Sequence, residues 1–82
     1  MNIIAKNIKQ LRSLKKLSQE GLAEELNVTR SRIGSYEENR SAPTIEFLIT
    51  LSDYFKIPID ILLRNDLTKA KDFSFIELNN QR

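Results

Sequence analysis

Between residues 29 and 40 the chain sets three arginines among short polar side chains: Thr29, Arg30, Ser31, Arg32, Ser35, Asn39 and Arg40. Arginine carries a planar fork of donors that can hold a phosphate or bond guanine O6 and N7 together. Ser31 and Ser35 are short and chemically permissive, so they discriminate weakly alone and can act through water. Acid–base chemistry is poorly served. The sequence has no histidine and no cysteine, which removes the commonest general base, thiolate nucleophiles and zinc ligands. Disulfide staples are excluded for the same reason. What remains is the chemistry of anions and base edges: cations and backbone amides for phosphates, and a few side chains that reach bases.

These residues need a scaffold, and Ser18 to Glu38 reads as two short helices joined by a tight turn. Ser18 caps a helix over Gln19–Leu26 with Leu22, Ala23 and Leu26 on one face. Asn27 ends it, because the left-handed conformation needed there suits Gly or Asn. Thr29 caps a second helix from Arg30 to about Glu37, with Ile33 and Tyr36 turned back toward Leu22 and Leu26. Ala23 lies where the two helices cross closely. The Thr29 hydroxyl and its neighbouring amides can meet phosphate.

The matching pieces are L-S-Q-E-x-L-A-E-E-L-x-V-T-R-S-x-I, then Y-E-x-N-R-x-x-P, then L-x-x-L-x-x-Y-F-x-I-x-I-D-x-L-L. On these, residues Leu17 to Leu63 resemble the Cro- and phage-repressor-type helix-turn-helix family, also called the XRE family. The resemblance implies an all-α, compact five-helix bundle of the lambda-repressor type whose third helix enters the DNA major groove. It places Arg30, Ser31 and Ser35 at base-contacting positions and Gln19 on a phosphate, where it can also brace a recognition residue. Arg32 projects to the flank, toward a phosphate or an outer base. Asn39 and Arg40 fall where relatives touch the backbone. The resemblance also implies a structural ion pair between Arg12 and Glu37, tying helix 1 to the end of helix 3.

Gly34 departs from expectation, since glycine inside a helix costs about 1 kcal/mol relative to alanine. It is either neutral drift on an exposed face or a missing side chain that lets the helix press closer into the groove. Pro58 stands where the family usually has a Ser or Thr cap.

The remaining elements follow from apolar spacing. Ile4, Ile8 and Leu11, widened by Ile3 and Leu14, mark a helix over Ile3–Lys16. Its lysines form a solvated face, from which Lys9 or Lys16 can reach a phosphate. Thr44 caps a fourth helix in which Ile45, Leu48, Leu51 and Phe55 face the core. Pro58 opens a last helix over Ile59–Leu63. Phe47, Ile49, Tyr54, Ile59 and Ile61 exceed what so small a core can hide. They are either scattered surface residues or a homodimer patch on helices 4 and 5.

The expected division is a DNA-binding domain over residues 1–64 and a short C-terminal tail over 65–82. Asp72 to Leu78 is a possible strand, with Phe73 and Phe75 on one face. The tail is a disordered segment, the start of a second domain, or an arm pairing across a dimer.

With 82 residues, one small domain is expected, and dimerisation would supplement its core. Its 13 basic and 11 acidic side chains give a net charge of only +2, so the distribution of charge carries the argument. The arginines gather on or after the third helix, whereas Glu20, Glu24 and Glu25 lie on the second. No apolar run approaches the roughly 18–20 residues of a membrane span, and the N-terminus lacks a signal peptide's apolar region. The expected location is the cytoplasm. No cofactor, metal or small-molecule ligand is expected, and no enzyme. The leading expectation is a homodimeric regulator, a repressor, on a pseudo-palindromic duplex operator. The alternatives are a stand-alone antitoxin, a restriction-modification controller, or a protein-interaction module that has lost DNA binding.

Overall fold

A computed structural model describes residues 3–69 as five helices: α1 (Ile3–Leu14), α2 (Gln19–Leu26), α3 (Arg30–Glu37), α4 (Ile45–Phe55) and α5 (Ile59–Arg64). No strand occurs among the described residues, and the expected strand over Asp72–Leu78 lies outside them. The all-α five-helix bundle expected from the sequence is the architecture found.

Helix starts are set locally. The hydroxyls of Ser18, Thr29 and Thr44 accept from the N–H groups of Gly21, Arg32 and Phe47 at 2.9, 3.2 and 3.1 Å. Each satisfies one of the amides left open at a helix N-terminus. Pro58 starts α5 with no side-chain cap. Helix ends share another device. Lys16, Asn27, Asn39 and Lys56 take φ between 57° and 60°, the left-handed region. At Lys16 the next amide, Leu17 N–H, reaches back to Arg12 C=O (3.1 Å), and Lys16 N–H reaches Ser13 C=O (2.9 Å). Those carbonyls would otherwise be orphaned. α1 therefore stops at Leu14 rather than continuing to Lys16.

The core gathers Ile4, Ile8 and Leu11 of α1, Leu22 and Leu26 of α2, Ile33 and Tyr36 of α3, and Phe47, Leu48, Leu51 and Phe55 of α4. Three expectations about it change. Ile45, assigned to the core, is 68% exposed, while Phe47, assigned to a surface patch, is 3% exposed. The Tyr36 and Phe47 rings pack edge to face with centroids 4.7 Å apart, and this contact sets the rotation of α4. Ile45 then falls outside the stripe, one turn before exposed Ile49. Leu14, expected to widen the α1 stripe, ends that helix exposed.

The packed unit also continues past residue 64, where the sequence places the domain boundary. Leu67 is buried in the core, and Asn7 of α1, fully buried, holds the segment leading to it. The Asn7 amide donates to Leu62 C=O (2.8 Å) and Asn65 C=O (2.7 Å), and its oxygen accepts from Leu67 N–H (2.9 Å). Beside it, Lys6 Nζ meets Asp66 at 3.0 Å. The Thr68 hydroxyl, Lys6 and the Thr68 amide together hold the Asp66 carboxyl down at about 2.

Truncating Asn7 would strand the buried Leu62 carbonyl and Leu67 amide and release the half-buried Asn65 carbonyl. Asn7→Ala is therefore expected to lower stability by about 2–4 kcal/mol, read as an earlier urea midpoint. A loss within about 0.5 kcal/mol, the range of a neutral surface change, would show that residues 65–67 dock without this clasp.

Candidate nucleic-acid interface

α3 is held on three sides and open on the fourth. Ile33 and Tyr36 fix its inner face in the core. At its last residue, the Glu37 carboxylate is only 3% exposed and takes three hydrogen bonds. Arg12 Nε and Nη2 donate to its two oxygens at 2.7 and 3.0 Å, and Gln19 Nε2 donates at 3.0 Å. Arg12 Nη1 also donates to Leu17 C=O (3.0 Å). α1, the start of α2 and the end of α3 thus meet on one carboxylate. Its hydrogen bond and charge raise the Arg12 pKa against the opposing effect of burial.

The open face begins with Arg30 and Ser31. Both are exposed, and neither side chain has a hydrogen-bond or ion-pair partner among the described residues. Thr29 accepts one hydrogen bond, from Arg32 N–H, and its own O–H proton is left to donate outward. Arg32, also exposed, folds along the helix: its Nε and Nη2 donate to the Tyr36 hydroxyl at 3.2 and 2.8 Å. Ser35 is half-buried and shares a 2.8 Å hydrogen bond with Ser41, a loop residue that sequence reasoning did not single out.

Past α3, Asn39 is the left-handed residue at which the helix ends. Its N–H reaches Tyr36 C=O (3.2 Å), and Arg40 N–H reaches Ser35 C=O (2.9 Å). Asn39 thereby aims Arg40 along the rim of the face. Arg40 Nε lies 3.4 Å from Glu38, with both side chains exposed, so an acidic group shares this rim. The separation of charge is less complete than the sequence suggests. Glu20, Glu24 and Glu25 are exposed on α2.

Gly34 does not lie on an exposed face, as one of the two readings had it. The residue is buried, and a Cβ built on it would lie 3.6 Å from Gln19 Oε1 and 3.9 Å from Arg40 Nη2. Its place is beneath the Gln19 carboxamide, not on an open face. These are ordinary contact distances, so alanine fits. The surface as a whole offers two unpaired side chains at a helix N-terminus, ringed by arginines and hydroxyls. It can take anions and hydrogen-bond the edges of bases. Among the described residues no group of His, Cys, Asp or Glu could hold a metal ion, and no helix is long and apolar enough to cross a membrane.

A family model described as helix-turn-helix matches residues 8–62. The chain is similar to the HTH-type transcriptional activator BcrR of Enterococcus faecalis, 41% identical over 59 residues, which covers 72% of this chain and 29% of that protein. It is 31% identical over 64 residues to the HTH-type transcriptional regulator YqaE of Bacillus subtilis, covering 78% and 55% respectively. The chain therefore spans less than a third of the first relative and about half of the second. A crystal structure of a transcriptional regulator from Listeria innocua is similar with a TM-score of 0.68 at 30% identity, covering 96% of this chain and 78% of that one.

Two stability measurements check this geometry. Glu37→Ala leaves the Arg12 guanidinium without its partner and is expected to cost about 3–5 kcal/mol. Replacing both residues by methionine should recover much of that loss, whereas a double-variant loss equal to the sum of the two single-variant losses would show an uncoupled pair. Gly34→Ala should raise stability by up to about 1 kcal/mol through helix propensity. A lower melting temperature would mean that the Gln19 side chain cannot yield to the added methyl group.

Proposed function

Because the chain belongs to the helix-turn-helix family, we propose that it is a sequence-specific double-stranded DNA-binding regulator of transcription. The observation that carries this reading is the pairing state of α3. The helix is locked from behind by Ile33, Tyr36 and Glu37, while Arg30 and Ser31 stand exposed with no partner among the described residues. A rigid helix with free donors at its first turn suits the major groove. In this reading Arg30 bonds a guanine edge, and Ser31 and Ser35 contribute weaker base contacts. Gln19, Thr29, Arg32, Asn39 and Arg40 hold phosphates on either side. Binding is its activity, without catalysis or a cofactor, on DNA in the cytoplasm. The binding unit in this reading reaches at least to Leu67, which is buried in the core.

The protein acts in this reading as a homodimer, so two copies of α3 meet half-sites about one helical turn apart on a pseudo-palindromic operator. Ile45 and Ile49 on α4 and Leu63 on α5 are exposed apolar side chains available to such a contact. Phe47, expected in that patch, is buried and takes no part. Repression follows where the operator overlaps a promoter. The relative BcrR is named an activator, and the position of the operator decides the sign.

Selection from random duplex DNA at near-physiological salt tests the reading. An enriched palindrome is expected, and the absence of DNA binding at any salt would overturn it. On the selected site Arg30→Ala should cost about 1–3 kcal/mol and relax one base position. An equal loss on every sequence would move Arg30 from base to phosphate.

A further inference from the structure

We propose that Tyr36 is a positioning residue for Arg32, holding its guanidinium as a fixed phosphate-binding cation at the flank of the DNA-binding face of α3. This rests on the DNA-binding reading above. The two residues lie four apart on one helix, so their side chains meet along its surface. Two separate donors of Arg32 converge on one hydroxyl, at 3.2 and 2.8 Å, and the guanidinium carbon lies 5.6 Å from the ring centroid. The hydroxyl is itself fixed. The Tyr36 ring is buried and packs edge to face on Phe47. Arg32 is exposed nonetheless, and its Nη1 has no partner among the described residues.

The arrangement removes most of the rotamer freedom that a long side chain loses on binding. It leaves free a planar edge that phosphate can take. The contrast with Arg30 is sharp, since Arg30 sits two residues away with no tether among the described residues. Tyr36 faces the core and carries the aromatic contact to α4, which is reason enough for a ring at this position. Packing gives no reason for the hydroxyl. Its bonds go to Arg32, and phenylalanine would fill the same space.

The test compares wild type, Tyr36→Phe, Arg32→Ala and the double variant on a mixed-sequence duplex at low salt and on the selected operator. Tyr36→Phe is expected to melt like wild type and to weaken both DNAs by the same factor, about 2- to 10-fold. In the Arg32→Ala background the same change should have no further effect. Arg32→Ala should lower the slope of log affinity against log salt by about one phosphate's worth. Arg32→Lys, which keeps the charge but cannot make the two-donor grip, should lose at least as much as Tyr36→Phe. Additive losses, a loss that varies with sequence, or an unchanged Tyr36→Phe would overturn the proposal while leaving DNA binding intact. Failure of the wild type to bind either DNA would instead overturn the functional reading, and this inference with it.

Discussion

The structure turns on the Glu37 carboxylate. It is nearly closed to water, and in an interior site an ionised group persists only if its oxygens are fully engaged. Arg12 supplies a two-pronged partner from α1, and Gln19 adds a donor from the first residue of α2. The pair therefore does more than join two helices. It places the C-terminal end of α3 relative to both elements before it in the chain. A hydrophobic contact would hold these helices together with comparable strength but would tolerate sliding. The bidentate geometry does not, and a helix that must present side chains to a regular surface gains from that restriction. It also gives Gln19 a second duty. An amide that braces Glu37 has one remaining N–H to offer a phosphate.

Much of the fold was legible because its cues are local. Ser18, Thr29 and Thr44 cap amides three residues ahead, and that interaction can be read from a short window. Asn27 was legible for the same reason. Lys16 and Lys56, which take the same left-handed conformation, were not, because lysine carries no preference for it. Their helices end there because the following residues, Leu17 and Ile57, must turn into the core. Tertiary packing overrides a local cost of about 1 kcal/mol at each.

What the sequence left out are contacts between distant segments. Asn7 sits in an apolar stripe and looks like an interruption of it, yet it holds a loop 55 to 60 residues away. Leu67 lay beyond the last recognisable motif, so its place in the core had no signal. The rotation of α4 was misjudged because Ile45 and Phe47 both fit a helical period with Leu48 and Leu51. Only the ring of Tyr36, from another helix, distinguishes them. Gly34 was legible as an oddity but not in its role, which depends on where the Gln19 carboxamide lies. Among the candidate site residues, type and approximate exposure could be read, while pairing could not. Nothing in the sequence shows that Ser35 is tied to Ser41, or that Glu38 stands beside Arg40.

Pairing is what separates the three arginines of this surface. Arg30 has no tether among the described residues, so in the proposed reading it is free to find the geometry that a base edge demands and bears the full ordering cost on binding. Arg32 is fixed on Tyr36 and bears less of it, but it can serve only a ligand whose position does not vary, such as a phosphate. Arg40 faces Glu38, an exposed and solvent-screened pair worth little in the free protein. A phosphate arriving there must compete with a carboxylate, and that carboxylate repels any anion Arg40 fails to neutralise. In the proposed reading Glu38 therefore weakens the hold on DNA of any sequence by the same factor, because a phosphate contact carries no sequence information. Discrimination is then left to the side chains proposed to reach base edges, Arg30 foremost, and Glu38 sets how firmly the whole face is held.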